Sequence, residues 1–452
     1  MVEEKRKELS VRAERAILLG TLPSKGSANG DSLEELGRLA ETAGAKVVEN
    51  VLQRRDKIDP TYYIGRGKAE ELAALCRDRD IDVVICDDDL TPAQVRNLEH
   101  LLNAKVVDRS ELILYIFATR ASTTQAQTQV ELAQLEYTLP RLKRMWVHLD
   151  RIEGGIGTRG PGEKQLEVDR RLVSKKIFEL KKRLKGIEDR RHHQVAARSN
   201  CLKVSLVGYT NAGKSTLMNS LTQAGVIVED KLFSTLDTKT CTLHLENGRR
   251  VLLSDTVGFI KKLPHHLISS FHATLEEVKQ ADLLLHVVDV SSPAALEQIK
   301  AVDEVLKELH CELKPTLLVL NKIDALTEEA TLTLFKSMYQ EAVAISSLTG
   351  EGLSELKKRM QEFFDRRCVE LRLTCGTEDG RLTAYLYQNG YVLSKRLHGH
   401  KISFHLLMEE RYIPKISQLA RDVEMSYAQD CHSEQSEEPL KQRPLDPSLR
   451  SG

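Results

Sequence analysis

Four short runs in the middle of the chain carry residue types that can bind and cleave a nucleoside triphosphate. The first is GYTNAGKS, made of Gly208, Tyr209, Thr210, Asn211, Ala212, Gly213, Lys214 and Ser215. It follows the apolar run VSLV and precedes TLMNSLTQ. In that strand, loop and helix order, glycines let consecutive backbone amides face phosphate oxygens. Lys214 is expected to reach the β and γ oxygens, and the Ser215 hydroxyl to ligate magnesium. The second run, FSTLD, holds Phe233, Ser234, Thr235, Leu236 and Asp237. Thr235 is assigned a second hydroxyl on the metal, on its order between the first and third runs. The third, DTVG, is Asp255, Thr256, Val257 and Gly258 at the end of RVLLS. Asp255 would hold the magnesium shell through water, and the Gly258 amide would sense the γ-phosphate.

The fourth run is NKID, Asn321, Lys322, Ile323 and Asp324, after TLLVL. A carboxylate there can accept from both N1 and N2 of guanine, a donor pair that adenine lacks, and leaving it unpaired penalises the wrong base. Lys322 would lie over the ring, and Ser346, Ser347 and Leu348 after AVAI would close the base pocket. Alone, NKxD is as often a solvated turn, but after a phosphate loop in this order it reads as guanine. The expected reaction is GTP hydrolysis to GDP and phosphate with Mg2+ as cofactor. No catalytic residue is assigned. Phe259 stands where many GTPases carry a glutamine that orients water, and phenylalanine has no donor or acceptor. It is expected to retract from the phosphate and leave hydrolysis slow without a partner.

These runs must be positioned by strands and helices, and 452 residues allow roughly three domains of ~150 residues. Near-continuous apolar strands (VSLVG, DLLLHVVDV, PTLLVLNK) alternate with helical stretches over 199–367, as in a mainly parallel sheet covered on both faces. A smaller βα alternation occupies 1–120, and short alternating runs (VELRLTC, RLTAYLYQNG, ISFHLLM) over 368–425 suggest a small β-rich or α+β domain, taken here as α+β. The polar stretch 426–452 is expected to be disordered. The fold class is thus multidomain α/β. In the N-terminal part YYIGRGKAEEL opens a helix after glycines. It reads as a tight turn in preference to a second phosphate site, because the full loop spacing is absent.

Between the two α/β regions, 121–198 has a different texture. Leu132, Leu135, Leu139 and Leu142 fall on one helical stripe, and Val173, Ile177, Leu180, Leu184 and Ile187 on another, as in an antiparallel hairpin, with a kink expected at Pro140. The joining run GGIGTRGPGE is longer than a connector needs. From Arg141 to Arg191 the chain has 16 Lys and Arg against 8 Asp and Glu, although Lys plus Arg and Asp plus Glu are both 66 overall. That local excess suits an RNA backbone, with Arg159, Arg170, Arg171, Lys175 and Lys176 as candidates, and equally suits a solvated coiled-coil face. Eight scattered cysteines without zinc spacing point to reduced thiols. The charged start without an apolar segment points to a cytoplasmic protein.

QVELAQLEYTLPRL and GGIGTRGPGEKQLEVDRR, with GYTNAGKS, FSTLD, DTVGF and NKID in order, resemble the HflX family of ribosome-associated GTPases. The resemblance implies that the N-terminal part and its arm bind the large ribosomal subunit and its RNA, with the arm's loop toward the peptidyl-transferase region. It also implies that the protein, expected to be monomeric, splits or rescues stalled ribosomes. The family's usual DPTT is replaced here by Asp237, Thr238, Lys239 and Thr240. Two other classes stand beside this reading: an RNA-remodelling NTPase with a second nucleotide site at GRGK, and a GTP-dependent regulator of a membrane or protease partner.

Overall fold

The computed structural model of the chain describes residues 11, 13–22, 31–145, 161–196, 202–222, 232–233, 235–245, 249–262, 272–419 and 423–427. The first sheet contains β1 (Arg15–Leu22), β2 (Lys46–Arg54), β3 (Val83–Cys86) and β4 (Lys105–Asp108), all parallel, in the order β2-β1-β3-β4. Its central strands are apolar on both faces because both are covered. Ile17, Leu19, Val84 and Cys86 meet the buried faces of α2 (Arg66–Arg79) and α3 (Pro92–Leu102). Ala16, Leu18, Val83 and Ile85 share the opposite core with α1 (Asp31–Ala43) and α4 (Arg109–Arg120). Thr91 and Gln94 close a reciprocal cap at the start of α3, with Pro92 at its first turn.

The arm consists of α5 (Thr124–Met145) and α6 (Pro161–Ala196). The two stripes pack together as their spacing predicts: Leu132, Ile177, Leu180 and Leu184 are buried, with Leu135, Leu139 and Val173 against them. Helix α5 runs through Pro140. Arg159 and the run from Gly154 to Gly160 lie outside the described residues, as do Ser234 and 428–452.

The second sheet is built from β5 (Leu202–Gly208), β6 (Lys239–His244), β7 (Arg250–Asp255), β8 (Leu283–Asp289), β9 (Thr316–Asn321) and β10 (Val343–Ala344). Its order is β10-β9-β8-β5-β7-β6, with only β6 antiparallel to its neighbour. Helices α7 (Lys214–Thr222), α8 (His272–Gln280), α9 (Ala295–Glu308) and α10 (Glu329–Met338) complete the alternation. One apolar core runs from α4 and α5 to Tyr209, Phe233, Leu236 and Phe259, so the first sheet, the arm and the nucleotide motifs share packing.

The chain divides into two compact units, Met1–His244 with Arg250–Leu353, and Leu245–Arg249 with Ser354–Gly452. The expected boundary at 367/368 therefore falls one helix later than the structural one, since nearly all of α11 (Leu353–Asp365) groups with the second unit. That unit holds β11 (Cys368–Gly376), α12 (Gly380–Asn389), β12 (Gly390–His398), β13 (Lys401–Glu409), α13 (Ile413–Leu419) and β14 (Glu424–Tyr427). The antiparallel order is β12-β13-β11-β14, a split β-α-β layout. Leu371, Leu373, Phe404, Leu406 and Met408 face its core. The run RLTAYLYQNG reads as alternating in sequence, yet it forms a helix, because Leu382 and Leu386, four apart, are the residues it buries.

Candidate nucleotide site

The phosphate loop, DTVG and NKID sit at the carboxyl ends of strands in the second sheet, where open α/β sheets bind ligands, and FSTLD leads into antiparallel β6, whose Lys239 pairs with Asp255 at the same edge. Strand β5 delivers the phosphate loop and β7 the DTVG run. Strand β9 delivers NKID, and β10 leads to Ser346 and Ser347. Thr210, Asn211, Gly213, Lys214, Ser215, Thr216, Phe233, Thr235, Thr256 and Gly258 line a cleft.

The charges in this cleft are poorly solvated. Lys214 Nζ donates to the carbonyls of Gly208 at 3.0 Å and Tyr209 at 2.8 Å. Burial holds its ammonium down at about 8, opposed by the Asp255 charge. Burial raises the Asp255 carboxyl, while Lys214, Ser215 and Thr235 pull the other way. A buried cation and a buried carboxylate of this kind are each served by a ligand of opposite charge, phosphate for one and a metal for the other.

The donor set fits a hard divalent cation. Ser215 Oγ lies 2.6 Å from Asp255 Oδ2 and 2.8 Å from Thr235 Oγ1, and Thr235 Oγ1 lies 3.2 Å from the same carboxylate oxygen. Asp255 Oδ1 is buried without a hydrogen-bond partner. Two hydroxyls and a carboxylate are oxygen ligands of the kind Mg2+ takes, with phosphates and water filling its shell.

At the base end, Asn321 ties the loops together. Its Nδ2 donates to the Ala212 carbonyl at 2.8 Å, and its Oδ1 accepts from the amide and hydroxyl of Ser347 at 3.0 and 2.8 Å. Lys322, at φ 65°, holds Asp289 at 2.7 Å. Asp324 and Leu348 are exposed at the rim, and Ile323 packs beneath with Leu320. Thr256 is buried, its hydroxyl donating to the Leu206 carbonyl at 2.7 Å.

Phe259 is retracted, as its chemistry predicts. It is 2% exposed and lies in the core with Tyr209 and Phe233. Its carbonyl accepts from Thr210 N at 2.7 Å and its amide donates to the Gly208 carbonyl at 3.1 Å, so the backbone itself turns the side chain away from the cleft.

Residues 30–118 match the family described as GTP-binding GTPase N-terminal, 120–198 the GTP-binding GTPase middle region, and 203–322 the 50S ribosome-binding GTPase. The chain is 46% identical over 380 residues to a GTPase HflX of Lacrimispora saccharolytica, covering 83% of this chain and 89% of the relative. It is 46% identical over 388 residues to that of Magnetococcus marinus, covering 85% and 90%. With that of Escherichia coli it shares 42% over 361 residues, covering 79% and 85%. The chain belongs to the HflX family of GTPases. It is accordingly a GTP-binding protein and a GTP hydrolase.

In this HflX-family chain one residue of the cleft lies outside the motifs, and two motif residues, Tyr209 and Asp237, are turned to other partners. Thr216 lines the cleft, and the second hydroxyl after Lys214 is the signal that could have found it. Tyr209 turns away from the cleft. Its hydroxyl bonds Glu35 and accepts from Lys261 N at 2.7 Å. Arg109 bonds Glu35, Asp87 and the Lys261 carbonyl, and Lys262 pairs with Asp87 and Asp88. Asp237 also points elsewhere, toward Ser122 and Thr123.

Two glycines are required by close approach. A Cβ on Gly258 would lie 2.8 Å from Thr210 Cα and 3.0 Å from Lys214 Nζ. Gly213 has φ +90°, and a Cβ there would lie 2.3 Å from Asn321 Nδ2. Gly213→Ala should strain the loop and separate Asn321 from Ala212, weakening GDP binding about tenfold or more for ~1–2 kcal/mol of backbone strain plus the lost bond. Titration with fluorescent GDP tests this, and wild-type affinity in the variant would refute it.

Proposed function

We propose that this GTPase acts on the large ribosomal subunit, binding it through the N-terminal part and the arm and splitting or rescuing stalled ribosomes. The observation that carries this reading is the long, basic arm helix α6. Arg170, Arg171, Lys175 and Lys176 are exposed on it. Lys176 pairs with Glu131 at 3.5 Å and Lys175 with Glu179 at 4.0 Å, both solvent-exposed pairs that cost little to exchange for phosphates. The 50S ribosome-binding description of the family matched by 203–322 supports the same partner. GTP is held by the phosphate loop, DTVG and NKID, with Mg2+ between Ser215, Thr235 and, through water, Asp255. A monomer in the cytoplasm fits this role. Among the described residues no helix is long and apolar enough to cross a membrane. The GRGK turn offers little to a second nucleotide, since the Gly65 amide at that helix start already donates to Gln53 at 2.8 Å.

The test is sedimentation with large subunits across a salt series, with a non-hydrolysable GTP analogue. Changing Arg170, Arg171, Lys175 and Lys176 together to Gln should weaken binding and reduce the salt slope by up to about four, while GTP affinity stays the same. An unaltered slope would leave the arm a solvated face. Conversion of intact ribosomes to subunits, read by light scattering, tests the splitting step.

A further inference from the structure

The loop that carries Thr235 is anchored outside the second sheet. Two residues beyond Thr235, the Asp237 carboxylate reaches Ser122 and Thr123, the two residues immediately before arm helix α5, more than a hundred positions away in sequence. Its Oδ2 accepts from the Ser122 hydroxyl at 2.6 Å, the Thr123 amide at 3.2 Å and the Ser122 amide at 3.3 Å, and its Oδ1 from the Thr123 hydroxyl. Thr123 Oγ1 also accepts from Ala126 N at 3.1 Å, the bond of a helix cap. The first amides of a helix lack partners within it and carry the positive end of its dipole. In most helices a local Ser or Asp answers both needs. Here Thr123 caps α5, and the carboxylate from the nucleotide-binding loop in turn holds Thr123 and Ser122, the two residues just before the helix.

The other flank of Thr235 is held as well. Phe233, at φ +55°, packs edge-on against Phe117 of α4 with ring centroids 4.6 Å apart. Leu236 is buried in the same core. Thr235 is thus suspended between two grips, one on α4 and one on the residues that lead into α5.

We propose that Asp237 is a positioning residue for GTP binding and hydrolysis: the start of the arm helix grips its carboxylate, and so holds the Thr235 hydroxyl beside Ser215 and Asp255. The inference rests on the reading of Thr235 as a magnesium ligand. Placement of Thr235 at the metal site and the hold of Ser122 and Thr123 on Asp237 then become one equilibrium. Coupling of this kind is reciprocal, so whatever orders the start of the arm also favours GTP.

The full chain tests it by titration with Mg2+ and a non-hydrolysable GTP analogue, and in parallel with Mg2+ and GDP. Asp237→Ala should weaken the analogue about tenfold, the loss expected for charge-assisted hydrogen bonds, and leave GDP nearly unchanged. The arm variant Ser122→Ala with Thr123→Val should show the same loss, and combining it with Asp237→Ala should add nothing. Hydrogen exchange of the Ser122 and Thr123 amides should be slower with the analogue than with GDP in the wild type, and equal in Asp237→Ala. Additive losses, equal losses for both nucleotides, or identical exchange in the wild type would each overturn the proposal. Thr235→Ala separates its two layers. If that variant binds the analogue normally, the metal reading fails and the proposal with it. If it binds weakly while Asp237→Ala binds normally, only the tether fails.

Discussion

Asp324→Asn is expected to lower GTP affinity by roughly 10–100-fold, the cost of unpairing a charged hydrogen bond, and to raise affinity for XTP. The guanine edge offers N1–H and the N2 amino group, and a carboxylate can accept from both. An amide keeps one acceptor and gains one donor, which meets the carbonyl that xanthine carries in place of the amino group. The geometry isolates the effect. Asp324 lies in the single turn Ile323–Ala325 after β9, exposed at the rim, while Asn321 carries the contacts that join the phosphate loop to Ser347. The variant should therefore keep its fold and its phosphate loop. Competition of GTP and XTP for a bound fluorescent nucleotide measures the change, and an unaltered preference would remove Asp324 from the base site.

The same residues mark how far sequence could be read. GYTNAGKS, DTVG and NKID were legible because each is local: the strand before it and the turn within it fix where its atoms point. The two apolar stripes of the arm were legible for a similar reason, since a helical period survives without knowledge of the partner, and Leu132 and Leu180 do meet. What could not be read is the pairing between distant segments. Asp237 with Ser122 and Lys262 with Asp87 join positions 115 and 175 apart, and a single charged residue in a loop has no period to betray its partner. Asp237 was expected among the nucleotide contacts because it lies in FSTLD, yet its carboxylate binds Ser122 and Thr123, the residues that lead into the arm. RLTAYLYQNG misleads for the opposite reason: its alternation is real, but tertiary packing uses the four-residue spacing of Leu382 and Leu386.

Single-turnover hydrolysis by the protein alone is expected to be slow, and large ribosomal subunits are expected to accelerate it by about 10³, the lower end of what groups supplied in trans achieve. The reason is the backbone at Phe259. Because its amide and carbonyl pair with Gly208 and Thr210, the side chain is directed into the core with Tyr209 and Phe233, and any residue placed there inherits that direction. Phe259→Gln should then fail to restore catalysis. It would bury an amide where no partner is offered, lowering stability without bringing a donor to the attacking water. Phe259→Leu, which keeps an apolar side chain of smaller volume, should leave both the slow basal rate and the stimulated rate close to wild type. Phe259→Ala opens a cavity and is expected to cost about 3–5 kcal/mol of stability, so its kinetics are best read beside a thermal unfolding curve. Two results would overturn the argument: fast turnover by the wild type without ribosomes, or a Phe259→Gln protein that hydrolyses GTP faster than wild type on its own. Either would mean that the residue after Gly258 faces the phosphate during catalysis, and that its burial belongs to a state the reaction leaves.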